Sequence, residues 1–355
     1  MAMPPTAEEL EKKVLDVAAS WKRDPARLVE YLQFAEKFHR YSIRNVILIH
    51  TQNPGASFVA SFSKYKELGY SVKKGEHGIR ILAPTLSIYY QKPGQEKWLR
   101  LSAAPKKLRE QIKEQHWPTR QVLTGFRPTT VFDVSQTTIP PEDLPKLFSM
   151  GDPDVDADRL THRLTDYCKS IGVNVNTNDL SSISIKGLYN PMLHQITLND
   201  RLQGAERLSV LSHELGHALM HSYQEGKNPV PSCQVELEAD AYSIMLHSRL
   251  ALPISEARKE HISDCYRAIT RYNEQHLQTD SQIDIMDSIQ NALNAYHTSI
   301  EDINQYIAGP TVELSSKEQE TNVTIPAERD TPRPNKESQA LTKPRKHRRE
   351  IAPEL

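Results

Sequence analysis

Cysteine is scarce in this chain of 355 residues: only Cys168, Cys233 and Cys265 occur, and no two form a C-x-x-C pair. An odd, sparse set argues against the disulfide framework of a secreted domain. Long apolar runs are also missing. No stretch approaches the roughly 20 apolar residues of a membrane-spanning helix. The opening segment, MAMPPTAEELEKK, lacks the basic start and apolar centre of a secretory leader. The expected compartment is therefore the cytoplasm, with no membrane partner. Charge of one sign is absent as well, since 44 Lys and Arg stand against 45 Asp and Glu. The net charge of −1 leaves any attraction to polyanions to local patches. Hydrophobic residues make up 38% of the chain, low for a fully globular protein, so exposed or unfolded segments are expected. The length allows two domains, each with its own core.

What the sequence does contain is concentrated in LSHELGHALMH, residues 211–221. Leu208, Leu211, Leu215, Ala218 and Leu219 recur with helical spacing, so residues 208–220 read as a buried helix. His213 and His217 are four apart and share one face, where they can hold one ion. Zinc is the expected ion, because it prefers imidazole nitrogen and tetrahedral geometry. Glu214 sits about 100° round the helix from His213. That places a carboxylate beside the metal as general base of a hydrolase, without making it a ligand. Gly216 keeps the helix slim where another segment could pass close.

A hydrolytic zinc site needs a third protein ligand. VELEADAYSIML, residues 235–246, supplies candidates on a second helix, with Val235, Ala239, Tyr242 and Leu246 spaced for burial. Glu236 completes the site in the preferred reading, and Glu238 competes for the role. Asp240, four residues after Glu236, is placed to accept the second ring N–H of a ligand histidine. Upstream, GLYNPMLHQITLND, residues 187–200, reads as strand, turn at Asn190-Pro191, and strand. HQITL is the expected edge strand for pairing with an extended peptide. Tyr189, His194 and Tyr242 are candidates for the oxyanion-stabilising group.

Elsewhere, residues 6–50 read as two helices and a third apolar element, the first opened by a Thr6/Glu9 capping box. Residues 58–84 read as a short helix, a turn at Gly69, and two strands joined at Lys73 to Gly78. Residues 86–124 are charged and irregular, the expectation being a mobile hairpin insertion, and residues 125–138 return to strand. Residues 254–307 are helical. From Ala308 the apolar pattern collapses into a Pro-, Ser-, Glu-, Lys- and Thr-rich tail expected to be disordered. In the N-terminal half, Lys64, Lys66, Lys73, Lys74 and Arg80 are interleaved with Phe62, Tyr65 and Tyr70, and Tyr41 lies just upstream. Cations for phosphates plus aromatic faces for bases is the recipe for binding single-stranded nucleic acid.

Two family resemblances sharpen these readings. Residues 150–250, through the hairpin, HELGHALMH and ELEAD, resemble the ImmA/IrrE-type metallopeptidases of the gluzincin group. The resemblance implies a zinc site of His213, His217 and Glu236, with Glu214 as general base. Residues 10–140 resemble the N-terminal domain of ArdC-type antirestriction proteins, through Asn45 with VILI, Gln52, Pro54, Ala56, Phe62, Tyr65, Gly69, VKKGEHGIRILAP and VFDVSQT. That likeness implies binding of single-stranded DNA, for which Tyr41, Asn45, Lys64, Lys73, Lys74 and Arg80 are the candidate contacts. Tyr65 stands where the family pattern has tryptophan, and Tyr70 where arginine is common.

The implied fold is α+β: an αβ DNA-binding-like domain at 1–140 with the charged insertion at 86–124, a linker at 141–159, a zincin-like peptidase domain with a helical cap at 160–307, and the tail at 308–355. The implied function is a zinc metalloendopeptidase coupled to a single-stranded DNA-binding module, encoded on a mobile element and acting in antirestriction or in regulation by proteolysis of a protein or peptide. The alternative is a non-catalytic protein that protects single-stranded DNA and carries a structural zinc domain.

Overall fold

The computed structural model describes residues 4–38, 41–140, 156–180, 185–222, 230–277 and 281–308. The expected linker falls largely outside these residues, and the expected tail lies outside them apart from residue 308. The fold mixes helix and sheet, as expected, and the described residues divide into two compact units: those within 4–83 and 128–308, and those within 84–127. Among the described residues no helix is long and apolar enough to cross a membrane.

The larger unit opens with helix α1 (Ala7–Trp21). Its capping box is formed in both directions: the Glu9 amide donates to Thr6 Oγ1 at 3.2 Å and the Thr6 amide donates to Glu9 Oε2 at 2.8 Å. Helices α2 (Ala26–Ala35) and α3 (Ile43–Gln52, capped by Ser42) follow. Strand β1 (Val59–Ser61) leads into α4 (Phe62–Glu67) and strand β2 (Ile79–Gln91). Strand β3 (Trp98–Arg100) and helix α5 (Lys106–Glu114) belong to the smaller unit, strand β4 (Thr119–Asp133) begins in it, and the strand order is β1-β4-β2-β3.

After the undescribed stretch come α6 (Ala157–Ser170) and strands β5 (Asn174–Asn178), β6 (Gly187–Asn190) and β7 (Gln195–Asn199). Helices α7 (Gly204–Met220), α8 (Ser232–Arg249), α9 (Glu256–Gln275) and α10 (Ile285–Ala308) close the described chain. Helix α8 is the axis of this unit. Every residue from Leu237 to His247 is buried, because α7, α9, α10 and α2 all pack on it. One hydrophobic core runs from Leu10, Leu32 and Ile47 through Leu211 and Met245 to Leu293. Polar stitches cross it: the Ile43 amide donates to Gln290 Oε1 at 2.8 Å, and Ser248 Oγ donates to the Gln33 carbonyl at 3.3 Å.

Three sequence expectations are corrected here. The segment at 71–80 is no strand hairpin. Val72 bridges Thr137 and the Lys73 amide donates to the Gln136 carbonyl, so the backbone pairs with the end of the VFDVSQT stretch instead of with β2. Residues 86–124 are regular rather than irregular, since they build β3, α5, the end of β2 and the start of β4. Their charge density hid strands whose outward positions are solvated. HQITL is not an edge. As β7 it lies between β5, which it pairs in parallel, and β6, which it pairs antiparallel, so the edges are β5 and GLYN, the latter bordering a cleft beside α7.

The turn after β4 hangs on Asp133, which is 2% exposed. Its Oδ1 accepts the Ser57 and Phe58 amides at 2.8 and 3.2 Å, and its Oδ2 accepts the Ser135 amide at 3.0 Å. Asp133→Ala leaves three backbone amides and the Ser135 hydroxyl without this partner and should destabilise the protein by about 2–4 kcal/mol. The check is a urea midpoint that falls with an unchanged m-value.

Candidate metal centre

The two histidines of HELGH project from α7 toward α8. Their Nε2 atoms are 3.2 Å apart. Glu236 of α8 faces them, with Oε2 3.2 Å from His213 Nε2 and Oε1 3.6 Å from His217 Nε2. One donor atom from each of the three residues lies within 4.8 Å of the others. Two imidazole nitrogens and one carboxylate aimed at a common point is a donor set that suits zinc in hydrolytic sites. The helices meet this closely because of Gly216. A Cβ there would stand 3.1 Å from Ala239 Cα and 3.2 Å from its carbonyl oxygen. The slim point expected in α7 is thus where the α8 backbone passes.

Glu238 is turned elsewhere. Its Oε2 lies 2.9 Å from His221 Nε2, and its Oε1 accepts from Gln234 at 3.0 Å and Asn291 at 3.3 Å. His221 Nδ1 in turn lies 3.0 Å from His217 Nδ1. Glu238 therefore steadies His217 through His221 while Glu236 meets the imidazole pair. The sequence reading missed His221, although its i, i+4 spacing from His217 repeats that of the first pair.

Asp240 lies where the spacing put it. Its Oδ1 is 2.9 Å from His213 Nδ1, which leaves Nε2 as the outward donor atom. Two further groups from α9 reach the same carboxylate: His261 Nδ1 lies 2.6 Å from Oδ2, and Arg258 is bonded to Oδ1. Arg258 also donates to the Ser209 carbonyl at 3.2 Å. No motif announced either residue, because only the packing of α9 on α8 brings them in. Burial alone would raise the Asp240 carboxyl, but the His213 and His261 hydrogen bonds and the Arg258 charge hold it well below the usual range. Burial disfavours the His213 cation, yet Asp240 and Glu236 outweigh it and lift that imidazole to about 9. Burial, aided by the His213 charge, pushes His217 down to about 3, so its lone pair is free.

Glu214 faces strand β6. Burial pushes its carboxyl up to about 7; His213 opposes this and Glu236 adds to it. The backbone amide of Tyr189 on that strand favours its charged form. Contact this close requires a glycine. A Cβ on Gly187 would lie 2.5 Å from Val210 Cγ1 and 2.9 Å from Glu214 Oε1. A glycine inside a strand reading signals such an approach. Of the three oxyanion candidates, Tyr242 is wholly buried and bonds Ser299 at 3.0 Å, so it serves the core. The Tyr189 hydroxyl and His194 Nδ1 lie 3.4 Å apart.

A cleft of about 1040 Å³ opens over these groups. Strand β6 forms one wall, α7 the floor, and the segment from Leu252 to His261 the other wall. A second donor group, Asp240, His261 and Cys265, shares its carboxylate with the first. Burial raises the Cys265 thiol strongly, which disfavours the thiolate a metal would need.

The residues nominated for DNA are dispersed among structural bonds. The Asn45 side chain clasps Leu82 through two hydrogen bonds of 2.9 Å. The Tyr41 hydroxyl donates to the Val59 carbonyl, Lys73 donates to the Ser135 carbonyl, and Lys64 pairs with Glu67. Lys74 is exposed and Arg80 is half-buried. Tyr65 is fully buried, its hydroxyl 3.1 Å from the Phe132 carbonyl, and so offers no face to a base.

Asp240→Ala should lower metal affinity 10- to 100-fold, the usual cost of losing a ligand's outer hydrogen-bond partner. It also strips Arg258 of its buried counter-charge, at about 3–5 kcal/mol of stability. Titration of the apo-protein with zinc against a chromophoric chelator checks the first effect, and urea unfolding the second.

Comparison with known proteins agrees with the two halves read from the sequence. Residues 6–132 match the model of the N-terminal domain of anti-restriction factor ArdC, and residues 168–273 match the peptidase-family model of the IrrE N-terminal-like domain. An uncharacterized protein of Bacillus anthracis is 27% identical over 274 residues, 72% of this chain. The chain spans about half, 46%, of that relative's length. Two crystal structures of the antirestriction ArdC protein from plasmid R388, one metal-free and one Mn(II)-bound, align over 76% of this chain. They cover 85% and 86% of their own chains, at 17% and 16% identity and TM-scores of 0.45 and 0.43. Likeness at that level carries no argument about this site. On the two family matches, the chain joins an ArdC-type antirestriction N-terminal domain to an IrrE-like domain of a metallopeptidase-like family.

Proposed function

We propose that the protein is a zinc-dependent endopeptidase joined to a single-stranded DNA-binding module, acting in antirestriction or in regulation by proteolysis. The observation that carries the hydrolytic half is the convergence of His213, His217 and Glu236 beside the Glu214 carboxylate, in one cleft with an exposed strand edge. The match to the IrrE-like peptidase model supports it, and the ArdC-type match supports the DNA-binding half.

Zinc held by the three donors would supply Lewis-acid polarisation of a peptide carbonyl. The remaining work falls to side chains and backbone. Glu214 takes a proton from the attacking water and delivers it to the leaving amine. A carboxyl lifted by burial to about 7 suits both directions of transfer near neutral pH. The Tyr189 amide favours the charged form of that carboxylate, and Gly187 lets the strand come close to it. Asp240 and the Glu238–His221 relay fix the two imidazole rings. Strand β6 offers its free backbone edge to an extended peptide.

Glu214→Gln should retain stoichiometric zinc and lose peptide cleavage by 10²- to 10⁴-fold. Metal analysis alongside digestion of an unfolded protein such as casein measures both, and full retention of cleavage in this variant would overturn the hydrolytic reading. Gly187→Val should likewise keep zinc and depress cleavage, because the added methyls push β6 away from Glu214.

A further inference from the structure

The unit at 84–127 is strongly basic. It carries nine Lys and Arg against three Glu, a net of +6 within a chain whose total is −1. Among the described residues none of these nine cations makes an ion pair, whereas cations elsewhere in the chain frequently do.

The register of β2 and β3 sorts their side chains onto two faces. Tyr90 and Leu99 are directly paired, and both pack with Leu108, Ile112 and Trp117, so α5 and the turn after it cover that face. Tyr89 pairs with Arg100 and Gln91 with Trp98, and these point to the opposite face. There Arg100 donates to Ser87 Oγ at 2.7 Å, and the Arg120 guanidinium carbon lies 4.4 Å from the Trp98 ring centre. Tyr89 and Trp98 are half-exposed, and Arg100 and Arg120 are exposed. This face thus alternates aromatic rings with unpaired cations.

We infer that this open face, through Tyr89, Trp98, Arg100 and Arg120, is where the chain binds single-stranded DNA. The inference rests on the DNA-binding half of the proposed function and moves it away from the segment at 64–80. Bases unstacked from a duplex can lie on Trp98, on Tyr89 and on the guanidinium already seated over Trp98. The surrounding cations, with no internal carboxylate to satisfy them, neutralise phosphates. A duplex hides its base faces and loses the stacking contribution. An acidic protein surface would need only the charge, and gives no reason for the interleaved rings.

The test uses the full chain and fluorescence anisotropy with labelled dT20, rU20 and a 20-base-pair duplex. Wild type should bind dT20 at least tenfold tighter than the duplex. Lys97→Glu/Arg120→Glu/Arg127→Glu alters only exposed side chains. It should weaken dT20 binding more than tenfold and reduce the slope of log affinity against log salt by about 2. Trp98→Ala should cost five- to tenfold, and Trp98→Phe should recover most of that. Lys64→Glu/Lys74→Glu should stay within threefold of wild type. Thermal midpoints matching wild type show that the variants are folded. If the triple variant binds like wild type while the Lys64/Lys74 variant fails, the face is wrong and the DNA-binding reading stands. If wild type ignores dT20, both fall. Equal affinity for the duplex removes the role of the rings, and tighter binding of rU20 replaces the occupant; either result overturns the inference.

Discussion

Asp240 has no exposed surface, and a lone carboxylate buried that deeply in the centre of α8 would be prohibitively costly. It is tolerated because His213, His261 and Arg258 surround it, one from α7 and two from α9. The three helices are therefore bound by charge as well as by packing, and the position of each depends on the others. Any displacement of α9 leaves Asp240 short of partners. Any rotation of α7 withdraws His213 Nε2 from Glu236. The candidate metal centre inherits its geometry from this buried knot.

Close backbone approach is the second constraint. Gly216 admits the α8 backbone to the floor of the site, and Gly187 admits the β6 strand to its wall. A side chain at either point would separate groups that must nearly touch. Two residues without side chains thus decide where Glu236 and Glu214 stand. The same logic explains the two carboxylates of ELEAD: residues two apart on a helix face different directions, so Glu236 meets the imidazoles and Glu238 braces them through His221.

The stretches matching the ArdC-type and IrrE-like models are not merely strung together. Helix α2 packs on α8, and Ser248 Oγ donates to the Gln33 carbonyl at 3.3 Å. The side chains of Asn45 and Asp133, both in stretches that resemble ArdC-type proteins, bond the backbone of Leu82, Ser57, Phe58 and Ser135, and Asp133 also accepts from the Ser135 hydroxyl. Their part is to lock the fold. Exposed aromatic and cationic groups gather instead in the unit at 84–127, the part of the sequence with the least regular pattern.

The sequence by itself determined what repeats at short range. The His213/Glu214/His217 cluster, Asp240 four residues after Glu236, the capping box of α1 and the turn after β6 all follow from spacings within one or two helical turns or a single hairpin, where covalent connection sets distance. Only the tertiary structure decided which strand is the edge, which acid of ELEAD reaches the imidazoles, and that Arg258 and His261 join them. Those outcomes depend on helices and strands meeting across dozens of intervening residues, where burial and packing choose the neighbour. The regular structure at 84–127 escaped the sequence reading for a related reason: its strands face water, so no apolar alternation marked them.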